Sequence, residues 1–203
     1  MNETTIAYPG EEGFFGNLHW GKLMMWVFLA SDVMGFASLI AGYFYLRMLS
    51  VDWPDSGELL NVMLTSINTV FLLSSSFTMA WAVDAIKRND QRAMLRQLGI
   101  TIFLGTLFLL IQGYEYFELF DLFSETFDER PFSGHLFAST FFLLTGFHAF
   151  HVFVGLVYLG CISVAAARGR YSAENYLALD IAGLFWHFVD WVWVAVFLSL
   201  YII

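Results

Sequence analysis

The chain is short of charge, of proline and of cysteine. Only 13% of its 203 residues are Asp, Glu, Lys or Arg, about half the share of an ordinary soluble domain. That shortage argues against a water-soluble enzyme. Proline occurs only at Pro9, Pro54 and Pro131, so none interrupts an apolar stretch. The single cysteine, Cys161, excludes an internal disulfide and a cysteine metal cluster. It lies in an apolar block and reads as a small buried or lipid-facing residue. With a net charge of −9, no basic patch is available for nucleic acid. The first twenty residues carry Glu3, Glu11 and Glu12 but no Lys or Arg. They lack the basic start and apolar run of a secretory signal, so the first apolar span is expected to act as the insertion signal.

What remains is apolar. Hydrophobic residues make up 59% of the chain, with 23 Phe and 7 Trp, and the mean hydropathy is +0.66. Long apolar blocks alternate with short charged segments, the pattern of an all-α polytopic membrane protein. Five transmembrane helices are expected, at 23–46, 59–83, 97–120, 132–167 and 178–203. A span needs roughly 20 residues at 1.5 Å each. The fourth is longer than that and must tilt or project beyond the bilayer. The chain is thus read as an N-terminal cytoplasmic segment, 1–22, followed by a single five-helix transmembrane domain, 23–203.

Loop chemistry supports the breaks. The segment 52–58 reads as a turn, with Asp55 and Glu58 spaced as a helix cap. Arg168, Gly169 and Arg170 provide a helix stop after the fourth span. Trp20, Trp53 and Trp81 fall near span ends, where indole rings prefer to sit. Lys22, Lys87, Arg88, Arg92, Arg96, Arg168 and Arg170 fall on one side of the membrane, and only Arg47 and Arg130 on the other. The positive-inside rule then puts the N-terminus in the cytoplasm and the C-terminus outside. The acidic loop of Asp121, Glu125, Asp128 and Glu129 faces outward. No internal repeat is present, which weakens an inverted-repeat transporter reading.

Ionisable residues within a span are expensive and demand a reason. Here they are Asp32, Glu115, Glu118, His148, His151, His187 and Asp190, joined by the neutral Asn68 and Gln112. His148 and His151 are three apart, as are His187 and Asp190, so each pair shares a helix face. Asp32 and His187 each lie about nine residues from the cytoplasmic end, roughly 14 Å deep, and the fourth-span histidines count to a similar level. A midplane polar layer joining Asp32 to one of these histidines is expected. Asp32 reads either as a proton relay or as the structural partner of a histidine. His187 and Asp190 read as a local structural pair, and Glu115 and Glu118 as groups nearer the outer rim. A bis-histidine haem needs ligands on opposing helices with room for the macrocycle. His148 and His151 share one face of a Phe-crowded span and suit interhelix hydrogen bonds better. No catalytic, metal or cofactor-binding residue is assigned.

Several stretches resemble one family. The run GKLMMWVFLASD at 21–32 resembles the opening span of the short form of haem–copper oxidase subunit III. The run STFFLLTGFHAFHV at 139–152 and the run WHFVDWVW at 186–193 are similar to its most recognisable segment and its closing signature. The segment from Gln112 to Tyr116 and the basic loop from Lys87 to Arg96 fall where that family has them. The resemblance covers nearly everything after residue 20. It implies an accessory, non-catalytic subunit of a proton-pumping terminal oxidase in aerobic respiration, set in the bacterial cytoplasmic (inner) membrane. It also implies no cofactor in this chain, with haem and copper in the partner subunits I and II. Bound phospholipid, support of proton uptake and a place in a larger respiratory supercomplex are further expectations of this kind. Longer family members have two more helices at the N-terminus. Position 32 is Asp where cytochrome c oxidases usually have Glu and quinol oxidases often have Asp, so the donor stays open between cytochrome c and quinol. The competing class is a small proton-coupled transporter built on Asp32 and the midplane histidines. A membrane-embedded enzyme would need converging groups in a wet cavity, and no nucleophile–base pair is visible in the sequence.

Overall fold

The computed structural model describes residues 20–51, 53–126 and 133–203. Residues 1–19 of the N-terminal segment and the acidic Asp128 and Glu129 lie outside the described residues, as does Arg130. So do the side chains of Asp121, Glu125 and Glu58. Helix α1 is Trp20–Leu49, α2 Ser56–Leu59, α3 Val62–Lys87, α4 Gln91–Thr126, α5 Ser133–Ala167 and α6 Leu177–Phe197, continued by a π-helical turn at Leu198–Ile202. Five of these helices are long and apolar enough to cross a membrane, in agreement with the sequence.

Local chemistry sets the boundaries. Asn61 caps α3, its side chain accepting from the Leu64 amide at 3.1 Å. Asn89 adopts the left-handed conformation with φ 58°, which Asn tolerates better than most residues. Asp90 Oδ1 then accepts from the Ala93 amide at 3.0 Å. This reverses the chain within Arg88, Asn89 and Asp90. The basic segment is therefore not the loop read from the sequence: α4 starts at Gln91, and Arg92 and Arg96 lie on its first turns. At the end of α5, Gly169 takes φ +72°, and the amides of Gly169 and Arg170 return to the carbonyls of Ala166 and Ala165. That is a glycine stop at the expected place. Asp55 Oδ1 accepts from the Gly57 amide at 3.0 Å, opening the short α2. The loop before α3 is thus partly helical, and α3 starts at Val62 rather than near residue 59. With 36 residues, α4 is as long as the 35-residue α5. At about 1.5 Å per residue both exceed a bilayer core of about 30 Å.

The core lies among α3, α4, α5 and α6. Lipid offers no hydrophobic drive between helices, so close approach and polar contacts must hold them. Trp186 and Trp193 of α6 are fully buried. Their indole nitrogens donate to Ser75 Oγ and Thr69 Oγ1 of α3, each at 2.9 Å. Gly105 and Gly155 make room for the Trp186 ring, since a Cβ on either would sit about 3 Å or less from it. Between α3 and α4, Thr78 and Thr101 join hydroxyls at 2.7 Å. Between α4 and α5, Tyr116 donates to Thr145 Oγ1 at 2.6 Å.

Helix α1 differs. Its most apolar window is 11% buried, against 50% for α3 and α6. It lies on α5 and α6 and is tied at three levels. At the basic end Lys22 pairs with Asp180. At the other end Arg47 Nη2 donates to the Ile203 carbonyl at 2.7 Å. Between them, Phe36 packs on the Phe147 ring at 4.8 Å, next to the Asp32–His151 contact. The basic end is also closed by Gln91, which donates to the Tyr171 carbonyl at 3.3 Å, and by Lys87 over the Tyr176 ring at 5.7 Å.

Candidate functional site

The intramembrane polar residues fall into separate groups. On α1 and α5, Asp32 Oδ2 lies 3.3 Å from His151 Nε2, with both side chains about nine-tenths buried. His151 Nδ1 is 2.7 Å from the Phe147 carbonyl. A carbonyl only accepts, so Nδ1 carries a hydrogen. Nε2 faces Asp32 Oδ2 without a well-formed hydrogen bond to it among the described residues. This is the meeting of Asp32 with a histidine that depth counting expects, and His151 is the histidine.

His148, one turn earlier on α5, is fully buried but makes no hydrogen bond through either nitrogen among the described residues. Its ring packs 4.8 Å from Trp193 and edge-on to Phe108 at 5.8 Å. The interhelix hydrogen bond expected of it is replaced by ring packing, which reaches Phe36 of α1 edge-on at 6.5 Å as well.

Glu115 on α4 is buried rather than at a wet rim. Thr65 Oγ1 and Tyr201 OH donate to its Oε1 at 2.9 and 3.2 Å, and Gln112 Nε2 donates to Oε2 at 3.0 Å. One carboxyl thereby links α3, α4 and the turn after α6. Glu118, a turn on, is exposed and accepts from Tyr114 OH at 2.5 Å; it is the rim residue of the two.

His187 and Asp190 do not pair with each other. His187 Nδ1 lies 2.5 Å from Ser76 Oγ on α3. Asp190 is buried, neighbours the same Ser76 and makes no well-formed hydrogen bond through either oxygen among the described residues. Ser76 takes the place that sequence reading gave to the partner on the same helix. The sequence reading also missed Thr65, Tyr201 and Thr145. The available signal was the hydroxyl-rich stretch of the second span from Thr65 to Thr78, since such side chains commonly bridge membrane helices. Asn68 belongs there too, its Nδ2 donating to the Phe108 carbonyl at 3.2 Å.

Chemically, the bonded groups tie helices together. Among the described residues, no three or more His, Cys, Asp or Glu side chains come together in a way that could hold a metal ion. The family model for cytochrome c oxidase subunit III matches residues 10–203. A cytochrome c oxidase subunit 3 from Thermostichus vulcanus is 37% identical over 87% of this chain and 84% of its own. One from Synechocystis is 35% identical over 96% of this chain and 81% of its own. The human one is 31% identical over 87% of this chain and 67% of its own.

Proposed function

Because the chain belongs to the cytochrome c oxidase subunit III family, we propose that it is the accessory, non-catalytic subunit of a proton-pumping oxidase that takes electrons from cytochrome c. Membership makes it a terminal oxidase subunit III, an integral membrane protein of a respiratory chain. The finer reading is ours. The chain packs on the haem-bearing subunit I beside subunit II, in the bacterial inner membrane, with its basic end and N-terminus cytoplasmic. It holds phospholipid, carries no haem or copper of its own, and supports proton uptake and the durability of the catalytic subunit.

One observation carries this reading. The costly intramembrane groups Asp32, His151 and Glu115 contact other helices of the same chain, which suits a scaffold better than a redox centre. The Asp32–His151 contact is the intramembrane pair to which we assign a part in proton uptake. The test is purification from native membranes through a tag on this chain. The expected product contains the haem-bearing subunit, and its absorption bands are lost when that subunit is removed. A stoichiometric haem band in the isolated chain would overturn the reading. So would proton flux through the isolated chain in liposomes that Asp32→Asn abolishes, which would favour a transporter. Asp at position 32 favours quinol as the alternative donor, and oxygen consumption by the complex with reduced cytochrome c or with quinol decides between them.

A further inference from the structure

Helix α6 does not end as an α-helix. The Ile203 amide donates five residues back, to the Leu198 carbonyl at 3.0 Å, and the turn Leu198–Ile202 is π-helical. Such turns are rare and are found mostly at functional positions. This one changes which side chains face inward. Along α6 no more than two adjacent residues are buried, as with Phe185 and Trp186 or Val192 and Trp193. That is the rhythm of a helix turning about 100° per residue. At that rate Tyr201, eight residues after Trp193, would sit roughly 80° from it around the axis. In the wider turn Ser199, Leu200 and Tyr201 are all buried, three in a row.

The turn thereby offers two hydrogen-bonding groups to two different helices. Tyr201 is carried into the core, where its ring stacks on Phe197 at 5.4 Å and meets Phe141 edge-on at 5.9 Å. Its hydroxyl donates to Glu115 Oε1 on α4 at 3.2 Å. Two residues on, the Ile203 carbonyl accepts from Arg47 Nη2 on α1 at 2.7 Å. Arg47 Nη1 is buried and has no partner among the described residues, so the hold on the guanidinium is the Ile203 carbonyl. Helix α2 rests on the same turn.

We infer that this π turn is a conformational clasp, which couples the seating of α1 to the hydrogen bonds around Glu115. Tyr201 and Ile203 lie within one hydrogen-bonded turn and move together, so release of Glu115 also releases Arg47. With the clasp shut, the outer half of α1 is held against α5 and α6. With it open, that half lifts, and the Phe36 and Asp32 contacts become the last ties at that end of the helix. Residues on α4 and in the turn thereby set how firmly Asp32 is kept on His151.

The test is hydrogen–deuterium exchange of α1, read by mass spectrometry on the intact purified complex. Tyr201→Phe keeps the ring and removes the donor. It should speed exchange over residues 36–49 about fivefold, the equivalent of one net hydrogen bond. Arg47→Met should do the same, and the double variant should exchange no faster than either single one, because both open one clasp. Effects that multiply, to about 25-fold together, overturn the coupling. Unchanged α1 exchange in Tyr201→Phe overturns the clasp itself. Arg47→Met is also read at the other end, where it should speed exchange over residues 198–203. No change there overturns the coupling independently of Tyr201→Phe. Thr65→Val removes another donor to Glu115 without touching the turn. It should lower the unfolding temperature and leave α1 exchange as it was. An equal rise in α1 exchange shows that α1 answers to Glu115 by another route, and overturns the role of the turn.

Discussion

Asp32 on α1 and His151 on α5 meet at 3.3 Å, with His151 Nδ1 held 2.7 Å from the Phe147 carbonyl on its own helix. The contact lies in a helix that is otherwise thinly packed, so it bears more of the docking of α1 than a pair inside the core would.

Removing one partner of such a pair leaves an uncompensated group in a low-dielectric setting, at a cost of about 3 kcal/mol. Asp32→Ala and His151→Ala should both loosen α1, seen as a lower unfolding temperature in detergent and faster loss of the chain from the oxidase. Asp32→Asn should be milder, because its amide can donate to Nε2. Initial oxygen consumption of the intact complex should fall less than retention does in Asp32→Ala. A collapse of turnover with the complex still whole would put Asp32 on an obligatory proton route.

Glu115 accepts from Thr65, Tyr201 and Gln112. Glu115→Leu strands the Tyr201 hydroxyl and the Gln112 amide at about 1–3 kcal/mol each, while Thr65 keeps the Asn61 carbonyl, and should lower thermal stability sharply. Glu115→Gln should recover most of it. Gln112 Oε1 has no partner among the described residues, so a turned Gln112 amide can accept from the new NH₂ group. Equal losses for the Leu and Gln variants would refute the network.

Gly105→Ala places a Cβ 2.7 Å from the Trp186 ring and 2.9 Å from Leu156. Overpacking of this kind costs about 1–3 kcal/mol. It should also pull the Trp186 indole from Ser75. Gly35→Ala, with nothing within 4 Å, should leave the unfolding temperature unchanged and serves as the control.

Lys22 and Asp180 are part-exposed, so their pair is worth at most about 1 kcal/mol. Lys22→Glu should destabilise slightly. Adding Asp180→Lys should restore the loss, and a double-mutant cycle in low salt measures the coupling.

The spans were legible because hydropathy is a sum over some twenty residues and tolerates local error. The boundary at Gln91 was not, because Asn89 and Asp90 turn the chain in a space that charge counting treats as a loop. Depth placed Asp32 level with the histidines, since rise per residue is fixed, but did not say which of them it meets. The partner of His187 could not. Helical spacing puts Asp190 on a neighbouring position, but which way a ring rotates depends on what the next helix presents, and Ser76 on α3 carries no distinctive signal. Glu115 read as a rim group for the same reason: depth is visible in one helix, whereas the donors that surround it come from others.

The way α1 is held has a consequence for how the chain is made. Its polar ties all lead to the last two spans, and Arg47 waits for a residue 156 positions later. At a synthesis rate of about 5–20 residues per second, that delay is roughly 8–30 s. Until α5 is made, α1 also stands in the membrane with Asp32 unmet. Helix α1 is therefore seated only after spans made later, and a nascent chain arrested before α5 would expose that carboxyl to whatever quality-control machinery surveys the bilayer.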